Sequence, residues 1–189
     1  GFWPMTDLKG ALANDLARAH HLTLFGSQWR AFPSGYAYEF SGSDFLTAPT
    51  SSVVIDKEMD MTIEFWFKAA AGQTNTVMFS NGKTDTTESA NALESIWEIG
   101  FDGNGDIYAK NDGTIIADGS IDYLDDEWHH IAIILRRVGN TSMYIDGDVR
   151  ASTNSASIGE FSGSSAFVGA SKHSNSAIPS QALNHFTGS

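Results

Sequence analysis

The sequence predicts an all-β fold of antiparallel strands, and three features carry the prediction. Trp128-His129-His130 sits between the acidic turn Asp125-Asp126-Glu127 and the apolar run Ile131 to Leu135, a polar turn opening into a buried strand. Ser142 to Val149 follows as a strand, an Asp146-Gly147 turn and another strand, the signature of a tight hairpin. Elsewhere short alternating runs end at Gly, Asn or Asp, and helical periodicity is nearly absent.

Taken in order, Phe2-Trp3-Pro4-Met5 is short, aromatic and bounded by Pro, which suits an edge strand. Leu8, Leu12, Leu16 and Ala19 have near-helical spacing, but Gly10 and the polar content allow at most a turn or two of helix in a long loop. Leu22 to Phe25 reads as a strand ended by Gly26. Tyr36 to Phe40 and Phe45 to Pro49 flank Ser41-Gly42-Ser43-Asp44, a hairpin pattern. In Met61 to Lys68, Ile63, Phe65 and Phe67 share one face, and Thr62, Glu64, Trp66 and Lys68 the other. Thr76 to Phe79 is a strand closed by Asn81-Gly82, and residues 83–94 read as an exposed polar loop. Ile96 to Phe101 and Ile107 to Ala109 flank the turn Asp102 to Asp106, and Ile115 to Ala117 forms a further strand. Ala166 to Gly169 is the last strong strand, and the polar loop 171–184 leads into Phe186. About a dozen short strands in one unit, residues 1–189, call for a β-sandwich or barrel.

The 189 residues carry 11 Lys and Arg against 23 Asp and Glu, a formal charge of −12 that repels phosphate backbones and argues against nucleic acid as a partner. No run approaches the roughly 18 apolar residues of a membrane-spanning helix, so membrane insertion is not expected. With no Cys, disulfides, thiolate catalysis and Cys-based metal sites are excluded. Position 1 is Gly and no secretory leader follows, so the sequence reads as a processed product or a segment of something longer.

His129 and His130 invite a metal reading, but adjacent strand residues point to opposite faces and cannot hold one ion. His20 and His21 fall under the same objection. Asp102-Gly103-Asn104-Gly105-Asp106 begins like a calcium loop, yet Ile107 and Gly113 stand where that loop needs Gly and an acid, which leaves a hairpin turn as the reading.

The order and spacing of these segments resemble laminin-G-like domains of the concanavalin A-like lectin/glucanase (jelly-roll) superfamily, in particular its bacterial and pentraxin-like branch. The resemblance is carried by Phe2-Trp3-Pro4, by Tyr38-Glu39-Phe40-Ser41-Gly42 with Phe45-Leu46, and by Met61 to Phe67. Glu127 to Ala132, Tyr144-Ile145-Asp146-Gly147, Phe167 to Ala170 and Phe186-Thr187-Gly188 complete it, nearly the whole chain in the expected order. It implies an antiparallel concanavalin A-like β-sandwich. In that family the Phe-x-Gly element runs into a final strand of the form Ile-Asp-Glu-Val-Arg-Ile, whereas this sequence stops at Ser189. Either that strand lies in sequence beyond or a partner chain completes the sheet. The resemblance also implies a structural Ca²⁺ joining the N-terminal segment to the last strand, with Asp44 and Gly42 as candidate ligands and Asp7 and Asp15 as weaker ones. Only Asp44 is acidic in a turn where relatives often place two acids.

A carbohydrate surface needs rings for stacking and polar groups for hydroxyls. Glu64, Trp66, Glu98 and His130 meet that need if they share the concave face. The competing reading has Trp66 and Trp128 filling the sandwich interior. The functional expectation is a non-catalytic glycan- or protein-recognition module of a secreted or cell-surface multidomain protein. A structural spacer or assembly domain is the alternative, and a glycoside hydrolase the weakest reading. Retaining glycosidases on this fold set two carboxylates about 5–5.5 Å apart. Here Glu98 and Asp102 lie four residues apart, roughly 13 Å along a strand, with Gly100 at the middle position.

Overall fold

A computed structural model describes residues 2–5, 10–17, 20–26, 28–33, 35–48, 60–82, 95–111, 114–119, 122–136, 138–154, 165–170 and 186–189. Among them are fifteen strands and no helix. In chain order they are β1 (Leu12–Ala13), β2 (Leu22–Phe25), β3 (Gln28–Phe32), β4 (Gly35–Ser41), β5 (Phe45–Thr47), β6 (Met61–Lys68), β7 (Thr76–Gly82) and β8 (Ser95–Phe101). There follow β9 (Ile107–Asn111), β10 (Thr114–Gly119), β11 (Trp128–Leu135), β12 (Asn140–Ile145), β13 (Asp148–Asn154), β14 (Ser165–Val168) and β15 (Thr187–Gly188). Every ladder is antiparallel. They form an eight-stranded sheet in the order β1-β2-β5-β14-β7-β8-β9-β10, a four-stranded sheet β13-β12-β11-β6 and a three-stranded sheet β15-β4-β3.

Alternation explains why the two larger sheets close on each other. From the eight-stranded sheet Trp97, Ile99, Phe101, Ile107 and Ala109 enter one core, and Phe67, Ile131, Ile133, Met143 and Ile145 enter it from the four-stranded sheet. All ten are essentially inaccessible to water, and each large side chain so placed contributes about 1.5–3 kcal/mol of transfer free energy. Phe67 meets Phe101 across the sheets in an edge contact, with ring centroids 6.0 Å apart. The result is the antiparallel β-sandwich that the sequence pattern predicts.

The Asp146-Gly147 hairpin joins β12 to β13 with φ of 54° and 86° at its two central residues, the mirror-image turn whose twist suits paired strands. Four expectations need correction. The segments on either side of Ser41 to Asp44 do not form a hairpin: β4 pairs with β3 and β15, while β5 lies between β2 and β14 in the other sheet. The Asp44 carboxylate accepts the Ser41 N–H at 2.8 Å and turns the chain from one sheet into the next. Phe2 to Met5 is irregular rather than an edge strand, because the Phe2 N–H goes to the Asp15 carboxylate and the Trp3 indole to the His20 carbonyl. The described part of the expected helical turn holds β1, paired with β2. Strand β7 runs through Asn81-Gly82 instead of stopping there. Gln28 to Phe32 pairs with β4 although it shows no clean alternation. The predicted loops 83–94 and 171–184 lie outside the described residues.

Candidate functional site

The outward face of the four-stranded sheet gathers aromatic and polar side chains that the core does not use. Strand β6 sends Phe67 inward and leaves Trp66 63% exposed, so this Trp does not fill the interior. Across the ladder Trp66 stands opposite His130, with ring centroids 5.2 Å apart. Two residues further along, Glu64 faces Ala132, and Ala132 faces Tyr144 on β12. The small Ala132 thus stands between Glu64 and Tyr144 in one row. The next row holds Thr62, Ile134, Ser142 and Ser152, with the two serine hydroxyls 3.2 Å apart. Rows on one face are roughly 7 Å apart along the strands. At the far end Ile134, Arg136, Gly139, Asn140, Ser142, Tyr144 and Ser152 line a shallow depression of about 390 Å³.

Glu64, Trp66 and His130 thus lie together. Tyr144, Ser142, Ser152 and Arg136 were not singled out from the sequence. Alternation on β12 marks Tyr144 and Ser142 as outward, but only the register to β11 places them beside Glu64.

Glu98 does not join this group, which corrects the four-residue grouping. Strand β8 belongs to the opposite sheet, where Glu98 is 6% exposed on the face turned away from the core. Alternation reports which face of its own strand a residue occupies; it is silent on which sheet that strand enters. The Glu98 carboxylate pairs with Lys110 at 2.6 Å and accepts from the Tyr108 hydroxyl at 3.4 Å. Burial first, and then the Glu98 charge, push the Tyr108 phenol up, so it stays protonated as a donor. Asp102, the other carboxylate of the glycosidase reading, accepts the N–H groups of Asn104 and Asp106 at 2.7 and 3.0 Å and organises its turn.

The two histidines of the opening pattern do separate. His130 turns outward to Trp66, while His129 turns inward against Phe67 and Tyr123, with ring centroids 5.7 and 5.0 Å away. His129 lies 2.8 Å from Asp146 and 3.1 Å from Asp125, and Asp146 also accepts the His130 N–H at 2.9 Å. Burial works against protonation of His129, but the two carboxylates outweigh it and raise its pKa. The site platform is therefore pinned from beneath at the Asp146-Gly147 turn.

The ligand set that the resemblance implies for Ca²⁺ does not fit the described residues. Asp15 accepts the N–H groups of Phe2 and Ala17, each at 2.8 Å, and of His20 at 3.1 Å. Burial would raise its pKa, yet these donors bring it down to about 2. Asp44 is held by the Ser41 N–H and hydroxyl. Gly42 is needed for the turn itself, with φ of 87° and Thr187 Oγ1 2.9 Å from where a Cβ would stand. Asp7 lies outside the described residues. Among the described residues no three acidic or histidine groups converge as a metal requires.

A laminin G-type family model, described as the concanavalin A-like lectin/glucanases superfamily, matches residues 40–183. A search of curated proteins finds no match. Among solved structures, domain 4 of AbnA, a GH43 extracellular arabinanase from Geobacillus stearothermophilus in complex with arabinotriose, is 17% identical with a TM-score of 0.58, covering 87% of this chain and 71% of that chain. The binding domain of Paraclostridial Mosquitocidal Protein 1 is 16% identical with a TM-score of 0.65, over 88% of this chain and 44% of that one. This chain therefore spans less than half of that structure. Alginate lyase AlgAT5 from polysaccharide lyase family 7 is 15% identical with a TM-score of 0.53, over 100% and 94%. At such identities the likeness is one of fold.

Proposed function

Because the chain belongs to the concanavalin A-like lectin/glucanases superfamily, we propose that it is a non-catalytic glycan-recognition module acting outside the cell, with the outward face of the four-stranded sheet as its binding surface. One observation carries the reading: Trp66 lies 63% exposed beside His130, on a strand whose other face packs Ile63, Phe65 and Phe67 against the core. A Trp is among the side chains that gain most from burial, and a flat ring left in water next to Glu64 suits the apolar side of a sugar, with carboxylate and imidazole for its hydroxyls. The AbnA domain, described in complex with arabinotriose, supports recognition of glycans on this fold. The alginate lyase supports catalysis on it as well. For the present chain the non-catalytic reading is favoured because Glu98 is ion-paired and buried and Asp102 is spent on its turn. Its natural setting is a longer secreted or surface-attached protein.

The test is a glycan array followed by calorimetry on wild type and Trp66→Ala. Stacking on one ring is worth about 0.5–1.5 kcal/mol, so the variant loses affinity by about twofold to tenfold. Binding that survives unchanged in Trp66→Ala overturns the assigned face, and absence of any glycan binding favours a spacer role. Running the titrations with Ca²⁺ and with a chelator tests the calcium expectation in the same experiment.

A further inference from the structure

We propose that the depression at the far end of this face is a subsite for an acidic sugar, a uronate, with Arg136 as the anchor for its carboxylate; this rests on the glycan reading above. Five Lys and Arg side chains are described. Arg30 pairs with Glu39, Lys68 with Asp126, Lys110 with Glu98 and Arg150 with Asp148. Of these five described cations Arg136 alone makes no ion pair, in a chain with a formal charge of −12. An exposed guanidinium left unmatched amid such an excess of acid is the natural point for an anion to enter, since elsewhere the field repels it.

The surroundings of Arg136 select the kind of anion. Tyr144 and Ile134 offer apolar surface, while Ser142, Ser152 and Asn140 offer hydroxyl and amide groups within the same depression of about 390 Å³. That mixture matches a ring with one apolar side, several hydroxyls and a single carboxylate. The guanidinium fork pairs with a planar carboxylate through two parallel hydrogen bonds. An acidic peptide fits less well. Extended peptides bind sheets at an edge, through main-chain hydrogen bonds, and β11 and β12 have theirs committed to neighbouring strands on both sides. The depression begins at Tyr144, one row from Trp66, and Arg136 lies three rows away, roughly 20 Å along the strands, so one oligosaccharide chain reaches from the stacking platform to the cation.

The decisive experiment titrates oligogalacturonate, its methyl ester and a neutral gluco-oligosaccharide of equal length into wild type, Arg136→Gln and Trp66→Ala by calorimetry. The expected result is that wild type prefers the free acid to the ester by about tenfold, and that added salt erodes the preference. Arg136→Gln equalises acid and ester, lowering affinity for the acid far more than for the ester, and Trp66→Ala weakens both together. A preference that persists in Arg136→Gln, or no preference in wild type while the neutral probes still bind, overturns the subsite and spares the glycan reading. Failure of every sugar to bind wild type overturns the glycan reading itself. Displacement of the free acid by an acidic peptide of equal charge, at equal concentration and through Arg136, overturns the assignment to a sugar.

Discussion

The outward faces of the two large sheets follow the same period-two rule and reach opposite ends. On the four-stranded sheet that face stays open, with Trp66 in water and Glu64 beside it. On the eight-stranded sheet one unbroken row, Thr23-Thr47-Phe167-Ser80-Glu98-Lys110-Ile115, crosses seven strands in register. Ser80 and Glu98 in that row are sealed from water although they face away from the core. Phe167 of that row joins Phe45 and Phe25 in a second apolar cluster, with Phe25 stacked on Phe45 at 4.9 Å. A polar residue on an outward strand position thus stays in water on one sheet, as Glu64 does, and enters a buried ion pair on the other, as Glu98 does. What separates them is burial, complete at Ser80 and nearly so at Glu98 but not at Ile115 on the edge strand, and not the pattern along the strand.

The strongest way to break this contrast is at Lys110. Replacing it with Met leaves the Glu98 carboxylate buried with only Tyr108 as a donor at 3.4 Å. Removing one partner of a fully buried pair costs about 3–5 kcal/mol, and because the Lys110 side chain is a third exposed a discounted loss of about 2 kcal/mol is expected. For a domain of this size that lowers Tm by about 6 °C. The double variant Lys110→Met with Glu98→Gln recovers most of the loss, because the uncompensated charge is gone. Equal Tm values for Lys110→Met and wild type, in a denaturation followed by circular dichroism, disprove the claim that this face is closed.

A smaller effect sharpens the contrast from the hinge between core and platform. His129 has its pKa raised, while Asp125 and Asp146 have theirs lowered, as His129 hydrogen-bonds to both. The raised His129 contributes stability that is whole below the unfolded value near 6.5 and fades as pH climbs through the folded one. The two carboxylates contribute above their ordinary value near 3.8 and lose that contribution as pH falls through their depressed ones. Tm of wild type relative to His129→Gln should therefore peak between about pH 4 and 6.5, by an amount on the order of 2 °C because solvent screens the pair. A difference that is flat from pH 4 to 9 removes the pin.

The limits of reading this molecule from its sequence follow the same boundary. Alternation along Met61 to Lys68 and Trp128 to Leu135 was enough to separate His129 from His130 and to put Trp66 with Glu64, because both facts belong to single strands. The partnership of Ala132 with Glu64 and Tyr144 was not legible, since it depends on register between strands far apart in sequence. The turn Ser41 to Asp44 read as a hairpin for a related reason. Its Asp and Gly chemistry suits a tight turn whether the chain folds back on itself or passes into another sheet. Alternation groups Glu98 with Glu64 and Trp66 wrongly, because it carries no label for the sheet a strand enters. Arg136 was invisible as a candidate, because being unpaired is a property of the surroundings.

Trp66→Ala is the test with the smallest expected effect on stability, and the one that most directly separates the two faces. Truncating a large aromatic in a core costs about 3–5 kcal/mol through lost transfer energy and a cavity. Trp66 has little of either to lose, for 63% of it is already in water and, among the described residues, its one ring contact is with His130 at 5.2 Å. A change within about 0.5 kcal/mol is therefore expected in urea denaturation, with an unaltered m-value. Trp97, at the same kind of position on the inward face of β8, is fully buried and supplies the control. Truncating it should cost the full core penalty. If Trp66→Ala loses as much, the ring is serving the fold, and the platform is a packed layer rather than a surface kept for a ligand.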